Sequence, residues 1–169
     1  MHDKNIVLIG FMGTGKTSVG KKLAAHLNRE FIDIDEVIEK EFGMPPTEIF
    51  KTYGEKTFRK KEKEVIERYC QHSGKVLSFG GGALLHEEVK KITLEKCFVI
   101  FLDISWKIWK EQIPHLISTR PVLQGKTLEE TEELFRFRQT IYNDHHLKID
   151  TDRKSVDEVT EEIVQKIQL

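Results

Sequence analysis

The chain has 169 residues, 38% hydrophobic and 33% charged, and its 27 lysines and arginines against 28 aspartates and glutamates leave a formal net charge of −1. That length suits one globular domain with its own core, and a charge near zero gives no reason to expect nucleic acid or an anionic membrane as partner. No apolar run approaches the ~20 residues that span a bilayer and Gly10 and Gly13 interrupt the N-terminal one, so a cytoplasmic protein acting on small molecules is expected.

The first predicted element is a short apolar strand, Asn5 to Ile9, and the apolar residues of Lys21 to Leu27 recur at helical spacing. Between them, Gly10-Phe-Met-Gly-Thr-Gly-Lys-Thr17 satisfies G-x-x-x-x-G-K-[ST]. In that pattern the glycines let successive backbone amides point into one concavity that holds phosphate oxygens, and the following helix adds its positive end. Gly13, Thr14, Gly15, Lys16, Thr17 and Ser18 are therefore candidate contacts for ATP, with Lys16 reaching the β- and γ-phosphates and the Thr17 hydroxyl a place on Mg²⁺. Toward the dinucleotide pattern G-x-G-x-x-G the stretch offers only Gly13-Thr-Gly15, and residue 18 is serine, which argues against that cofactor.

A second strand, Glu30 to Ile34, leads into Asp35. Asp33 and Asp35 stand at i and i+2, so an extended chain turns both carboxylates to one side, one to hold Mg²⁺ and the other to accept a proton from an acceptor hydroxyl. A solvated acidic strand end is the alternative. Glu55 to Tyr69 reads as a helix whose many charges form a wet face; Arg59 matters only if its side of the helix looks into the site, where a guanidinium grips a carboxylate through two parallel hydrogen bonds.

The third strand, Lys75 to Phe79, ends in Gly80-Gly-Gly82, more glycine than a turn needs, which suggests close backbone approach to a ligand. After the fourth, Cys97 to Leu102, a helix from Ser105 to Gln112 carries Trp106 and Trp109 on one face, read as packing. His115 to Lys126 has loop composition and is expected to form a mobile lid, about residues 113–126, that presents Arg120. The helix Thr127 to Tyr142 opens on a capping box, Thr127 with Glu130, and carries Arg138. A weaker strand, Leu147 to Asp150, precedes a last helix from Ser155, again paired with a glutamate, Glu158, three residues on. Asp144-His-His146 offers no convincing zinc geometry, and Cys70 and Cys97 are expected to be reduced and buried. Strands alternating with helices imply a parallel sheet of about five strands covered on both faces.

Together these residues resemble the shikimate kinase family, within the nucleoside monophosphate kinase-like branch of P-loop proteins. The likeness rests on Gly10 to Thr17, Asp33-Ile-Asp35, Glu48-Ile-Phe50, Tyr53-Gly-Glu55, Phe58-Arg59 with Glu62, Gly80 to Gly82, Arg120-Pro121, and Arg138 with Tyr142, and it covers nearly the whole chain. It implies a three-layer α/β/α P-loop kinase fold with a mobile lid, and ATP-dependent phosphorylation of the 3-hydroxyl of shikimate, a step of aromatic amino acid biosynthesis. It also implies that Lys16, Thr17 and Asp33 serve ATP and Mg²⁺, that Asp35, Arg59, Gly80, Gly81, Gly82 and Arg138 surround shikimate, and that Arg120 comes from the lid. The chain departs from the family where many members carry an arginine about seven residues before the Arg-Pro pair; here that residue is Ile113. The rival readings are a kinase of the same fold for another hydroxy acid, such as gluconate, and a noncatalytic nucleotide-binding protein. A monomer is expected, since no long apolar helix face announces a partner surface.

Overall fold

In the computed structural model, which describes residues 3–168, strand and helix alternate: β1 (Ile6–Ile9), α1 (Lys16–His26), β2 (Glu30–Asp33), α2 (Ile34–Phe42), α3 (Pro46–Tyr53), α4 (Glu55–Cys70), β3 (Lys75–Ser78), α5 (Glu87–Lys96), β4 (Phe98–Asp103), α6 (Trp106–Trp109), α7 (Ile113–Leu116), α8 (Leu128–Ile141), β5 (Leu147–Asp150) and α9 (Val156–Ile167). Single 3₁₀ turns lie at 83–85, 110–112 and 121–123. The five strands form one sheet in the order β2-β3-β1-β4-β5, every pair parallel. In register, Leu8 lies beside Ser78 and Ile9 beside Phe101, so the loops after β1, β3 and β4 leave one edge of the sheet together. That carboxyl edge is where open α/β sheets bind ligands.

β1 is buried along its whole length, and its side chains alternate between two cores. Val7 and Ile9 join the apolar cluster under α2 to α8; Ile6 and Leu8 join a second cluster with Val19, Leu23 and Ala24 of α1 and Val159 and Ile163 of α9. Among the described residues no helix is long and apolar enough to cross a membrane.

All five expected strands are present, within one or two residues at their ends. One expectation fails at β2. The strand stops at Asp33 and a helix begins at Ile34, so Asp33 and Asp35 do not share a strand face. The cause is local: the Asp33 carboxylate accepts the backbone N–H groups of Asp35 (2.9 Å) and Glu36 (3.3 Å), capping α2. The capping box of α8 forms in both directions, Thr127 Oγ1 accepting from Glu130 N–H and the Glu130 carboxylate from Thr127 N–H. At α9, Ser155 Oγ takes the Glu158 amide. The segment expected to be loop after residue 112 contains α7 and a 3₁₀ turn, and Ile113 packs on the first core. Cys70 and Cys97 are buried free thiols, brought from the carboxyl ends of α4 and α5 to an Sγ–Sγ separation of 3.8 Å.

Candidate active site

The phosphate loop joins the end of β1 to α1, and Gly13 (φ 77°) and Gly15 (φ 87°) hold it in left-handed backbone that favours glycine. Lys16 is buried beneath the loop, its Nζ donating to the carbonyls of Gly10 (2.8 Å) and Phe11 (2.9 Å). Burial, and then the neighbouring Arg120 charge, draw Lys16 down to about 7. Thr17 Oγ1 donates to Asp33 Oδ2 at 2.9 Å, setting two hard oxygen atoms side by side at the mouth of the loop. Gly13, Gly15, Lys16, Thr17, Ser18, Asp33 and Asp35 face one chamber of about 500 Å³. Thr14 lies just outside it, turned back to the Phe11 carbonyl and toward a groove of about 320 Å³ that runs from the loop to Arg153–Val156.

A second, tighter chamber of about 70 Å³ adjoins the first, and Met12, Asp35, Gly80, Gly81 and Arg120 line both. Its far wall is Arg59, Glu62 and Arg138. Glu62 sits on the buried stripe of α4 with Phe58, Val65 and Ile66, where a core residue would be expected. Its carboxylate binds Arg59 Nη1 at 3.0 Å. Burial raises Glu62 to about 7 against the pull of that guanidinium. Burial would also lower Arg59, but the carboxylates of Glu62, Glu55 and Asp35 together outweigh it and hold Arg59 above its ordinary value. Arg138 is buried on α8 and lowered by burial, with Tyr142 opposing and the Arg59 charge adding to the effect. Three guanidinium groups, Arg59, Arg120 and Arg138, and two carboxylates, Asp35 and Glu62, thus line this chamber, which leaves positive charge for an anion.

The three glycines line the chambers, and their lack of a side chain also makes room for the side chains packed around them. A Cβ at Gly80 would stand 2.9 Å from Asp35 Oδ1, one at Gly82 2.5 Å from Arg59 Nη2, and one at Gly81 3.4 Å from both Arg138 Nη1 and Tyr142 Oη. None of the three has positive φ, so space is their reason. Tyr142 Oη donates to the Gly81 carbonyl at 2.5 Å, and burial raises its pKa.

Asp35 lies where the two chambers meet. Burial, then the Asp33 charge, raise its pKa. Arg120 reaches over from the segment between α7 and α8 to within 4.0 Å of Asp35 Oδ2. Several polar atoms here are buried without a protein partner: Asp35 Oδ1, Glu62 Oε2, Arg120 Nε and Arg138 Nε. Four such atoms converging on one place are the signature of a ligand site, since buried polar groups otherwise find partners.

The candidate ATP, Mg²⁺ and acceptor residues named from the sequence therefore gather at the carboxyl edge of the sheet. Two further features went unread there: the burial of Glu62 and its ion pair with Arg59, although both residues carry the family resemblance, and the groove at Arg153 and Lys154, for which the sequence gives no signal beyond two adjacent cations. Trp109 is packing, as expected, and also donates its indole N–H to the Met12 carbonyl. His145 Nδ1 lies 2.7 Å from the Tyr142 carbonyl, His146 Nδ1 accepts the Val99 amide, and Asp144 pairs with Lys90.

Comparison with known proteins places the same chemistry in the chain's relatives. A family model described as shikimate kinase matches residues 12–168. The shikimate kinase of Oceanobacillus iheyensis is 49% identical over 169 residues, covering 100% of this chain and 92% of the relative. That of Bacillus licheniformis is 50% identical over 170 residues, covering 100% and 96%. Among solved structures, shikimate kinase from Acinetobacter baumannii in complex with shikimate superposes with a TM-score of 0.89 at 30% identity, covering 98% of this chain and 93% of that one. A gluconokinase from Sinorhizobium meliloti reaches a TM-score of 0.57 at 17% identity over 99% of this chain and 93% of that one, a likeness of fold alone.

Proposed function

The chain belongs to the shikimate kinase family, and on that premise we propose how its two chambers divide the work of phosphorylating the 3-hydroxyl of shikimate with ATP. The observation that carries the reading is the junction itself: Asp35 and Arg120 stand at the boundary of a phosphate chamber and an anion-binding chamber, with unpartnered polar atoms on both.

ATP lays its phosphates on the amides of Gly13 to Ser18, and its base enters the groove toward Arg153, since Ile113 packs on the core and leaves that side of the lid without an arginine. Thr17 and Asp33 suit Mg²⁺, which takes few protein oxygens and keeps the rest of its octahedron for water and phosphate; when bound it neutralises charge on the β- and γ-phosphates. Arg59 and Arg138 clamp the acceptor carboxylate, with Glu62 fixing the direction of the Arg59 fork. Asp35 receives the hydroxyl: its raised pKa reflects a carboxylate able to take a proton, and its place between the chambers aims that oxygen at the γ-phosphorus. Lys16 leaves its loop carbonyls for the phosphates, and with Arg120 stabilises charge on the transferring group. Both chambers are built by one chain, so the reading needs only a monomer, working in the cytoplasm within the shikimate pathway.

The test is ADP release with ATP and Mg²⁺ in the presence of shikimate, gluconate or no acceptor, with Arg59→Ala alongside. Shikimate alone should stimulate release, and the variant should raise its KM roughly 10- to 100-fold, the worth of a charge-assisted clamp. Release stimulated by gluconate, or an Arg59→Ala enzyme with unchanged KM for shikimate, would contradict the acceptor assignment.

A further inference from the structure

Trp109 ends α6 and is fully buried, and its indole N–H donates to the Met12 carbonyl oxygen at 2.6 Å. Its ring cannot swing away. Phe11 packs edge-on at 4.7 Å between centroids, Trp106 stacks at 5.6 Å, and Phe135 closes the third side at 5.9 Å. The bond holds one peptide plane, Met12–Gly13, and that peptide is trans like every other among the described residues. In a trans peptide the C=O and the next N–H point in opposite directions. With the Met12 carbonyl turned to the buried indole, the Gly13 N–H faces away from it, and Gly13 borders both the phosphate chamber and the groove beyond Thr14. No protein acceptor among the described residues takes that N–H.

Nothing in the loop's own covalent structure fixes this orientation. Flipping the plane changes ψ of Met12 and φ of Gly13, and glycine accepts positive and negative φ about equally. Gly13 has φ 77°, one of two states open to it. The residues that follow Trp109 press on the same spot: a Cβ at Gly13 would meet Gln112 Oε1 and Leu116 Cδ1, each at 2.9 Å. The root of the lid and the tip of the phosphate loop are therefore in direct contact, with the indole bond as the polar link.

We propose that Trp109 is a positioning residue for phosphoryl transfer, selecting the peptide orientation in which the Gly13 amide is presented to the phosphates of ATP. It acts through the Met12–Gly13 peptide and touches neither substrate. The inference rests on the phosphate loop binding ATP as proposed above.

The experiment compares the wild type with three full-length variants: Trp109→Phe; Trp109 replaced by benzothienylalanine, which keeps the bicyclic shape and removes only the N–H; and Trp106→Phe, which thins the same stack without touching the bond. Affinity for Mg²⁺-ATP is measured by calorimetry without acceptor, and kcat and both KM values by ADP release. Both changes at 109 are expected to weaken ATP binding and lower kcat/KM for ATP about tenfold, with KM for shikimate within twofold of wild type and Trp106→Phe nearly silent. The benzothienylalanine enzyme should do so while remaining folded, with a melting temperature only about 2–6 °C lower for the one lost hydrogen bond, and it decides the matter if Trp109→Phe does not fold. ATP affinity and kcat/KM equal to wild type in the benzothienylalanine enzyme would overturn the proposal while leaving the function intact. A wild type that does not bind ATP would overturn both.

Discussion

Lys16 is the residue whose state depends most on the ligand. It is buried, sits near Arg120, and is drawn down to about 7, while its amino group rests on two loop carbonyls. Phosphates placed beside it favour the charged form. Binding ATP should therefore raise the pKa of Lys16 and take up a proton over the window above about 7, where the free protein holds the amine largely neutral. Calorimetric titrations at pH 8 in two buffers of different ionisation enthalpy should give an uptake approaching about one proton, vanishing below about pH 6 and absent in Lys16→Arg, whose guanidinium stays charged. Uptake that persists in Lys16→Arg would place the titrating group elsewhere. Arg120 differs: it reaches Asp35 at 4.0 Å from a half-exposed position, and the proposed mechanism gives it a role in the transition state. Arg120→Ala should lower kcat by about 10³ or more while shikimate KM moves only a few-fold. An unchanged turnover number would remove Arg120 from the chemistry. At this scale the sequence was readable where function is contiguous, as in Gly10 to Thr17. It misled at Asp33 and Asp35, because i, i+2 spacing gives one face only if the strand continues, and an aspartate that caps a helix ends it.

Among the elements, strands and long helices were legible because each carries a period or a cap. The short helices α2, α3 and α5, of nine, eight and ten residues, were not, since two or three turns give too few apolar repeats to stand out from loop. What the elements do for the site is likewise invisible to periodicity: Arg59, Gly80 to Gly82, Arg120 and Arg138 come from four separate segments and meet only because β3, β1 and β4 are neighbours. α8 makes the dependence testable. Thr127, which opens its capping box, is eleven residues from Arg138, and the two are joined by a continuous helix. Thr127→Ala removes the acceptor for Glu130 N–H and should cost about 1 kcal/mol of stability. For a chain of this length that is a fall of about 2–4 °C in melting temperature. Kinetic constants should stay near wild type, because the far end of α8 is held by Phe135 and Tyr142 in the core. A large rise in shikimate KM in Thr127→Ala would mean that α8 is positioned from its N-terminus instead.

For the whole molecule, the same acid that orders the acceptor chamber taxes the fold. Glu62 has no solvent exposure, and burial lifts it to about 7 although Arg59 stands 3.0 Å away. In the unfolded chain it returns to the ordinary glutamate value, near 4.3. Between these two values the folded protein binds the extra proton, so unfolding releases it and stability falls as pH rises. The loss begins near the unfolded value and is complete above the folded one, and a shift of that size corresponds to roughly 4 kcal/mol. Asp35, also raised by burial, contributes with the same sign. Glu62→Gln keeps the shape but cannot ionise, and it leaves Arg59, which stays charged throughout, with Glu55 as its remaining carboxylate partner. Urea unfolding from pH 5 to pH 8 should therefore show the wild type losing stability relative to Glu62→Gln as pH rises, with the gap changing most between pH 5 and 7 and then levelling. Parallel curves would mean that Glu62 is ionised in the folded state throughout this range, and that its contact with Arg59 compensates its burial in full. The expected slope would instead show that a clamp for the substrate carboxylate is held in place at a cost to the fold, recoverable when shikimate supplies the Arg59 and Arg138 pair with the negative charge its chamber lacks.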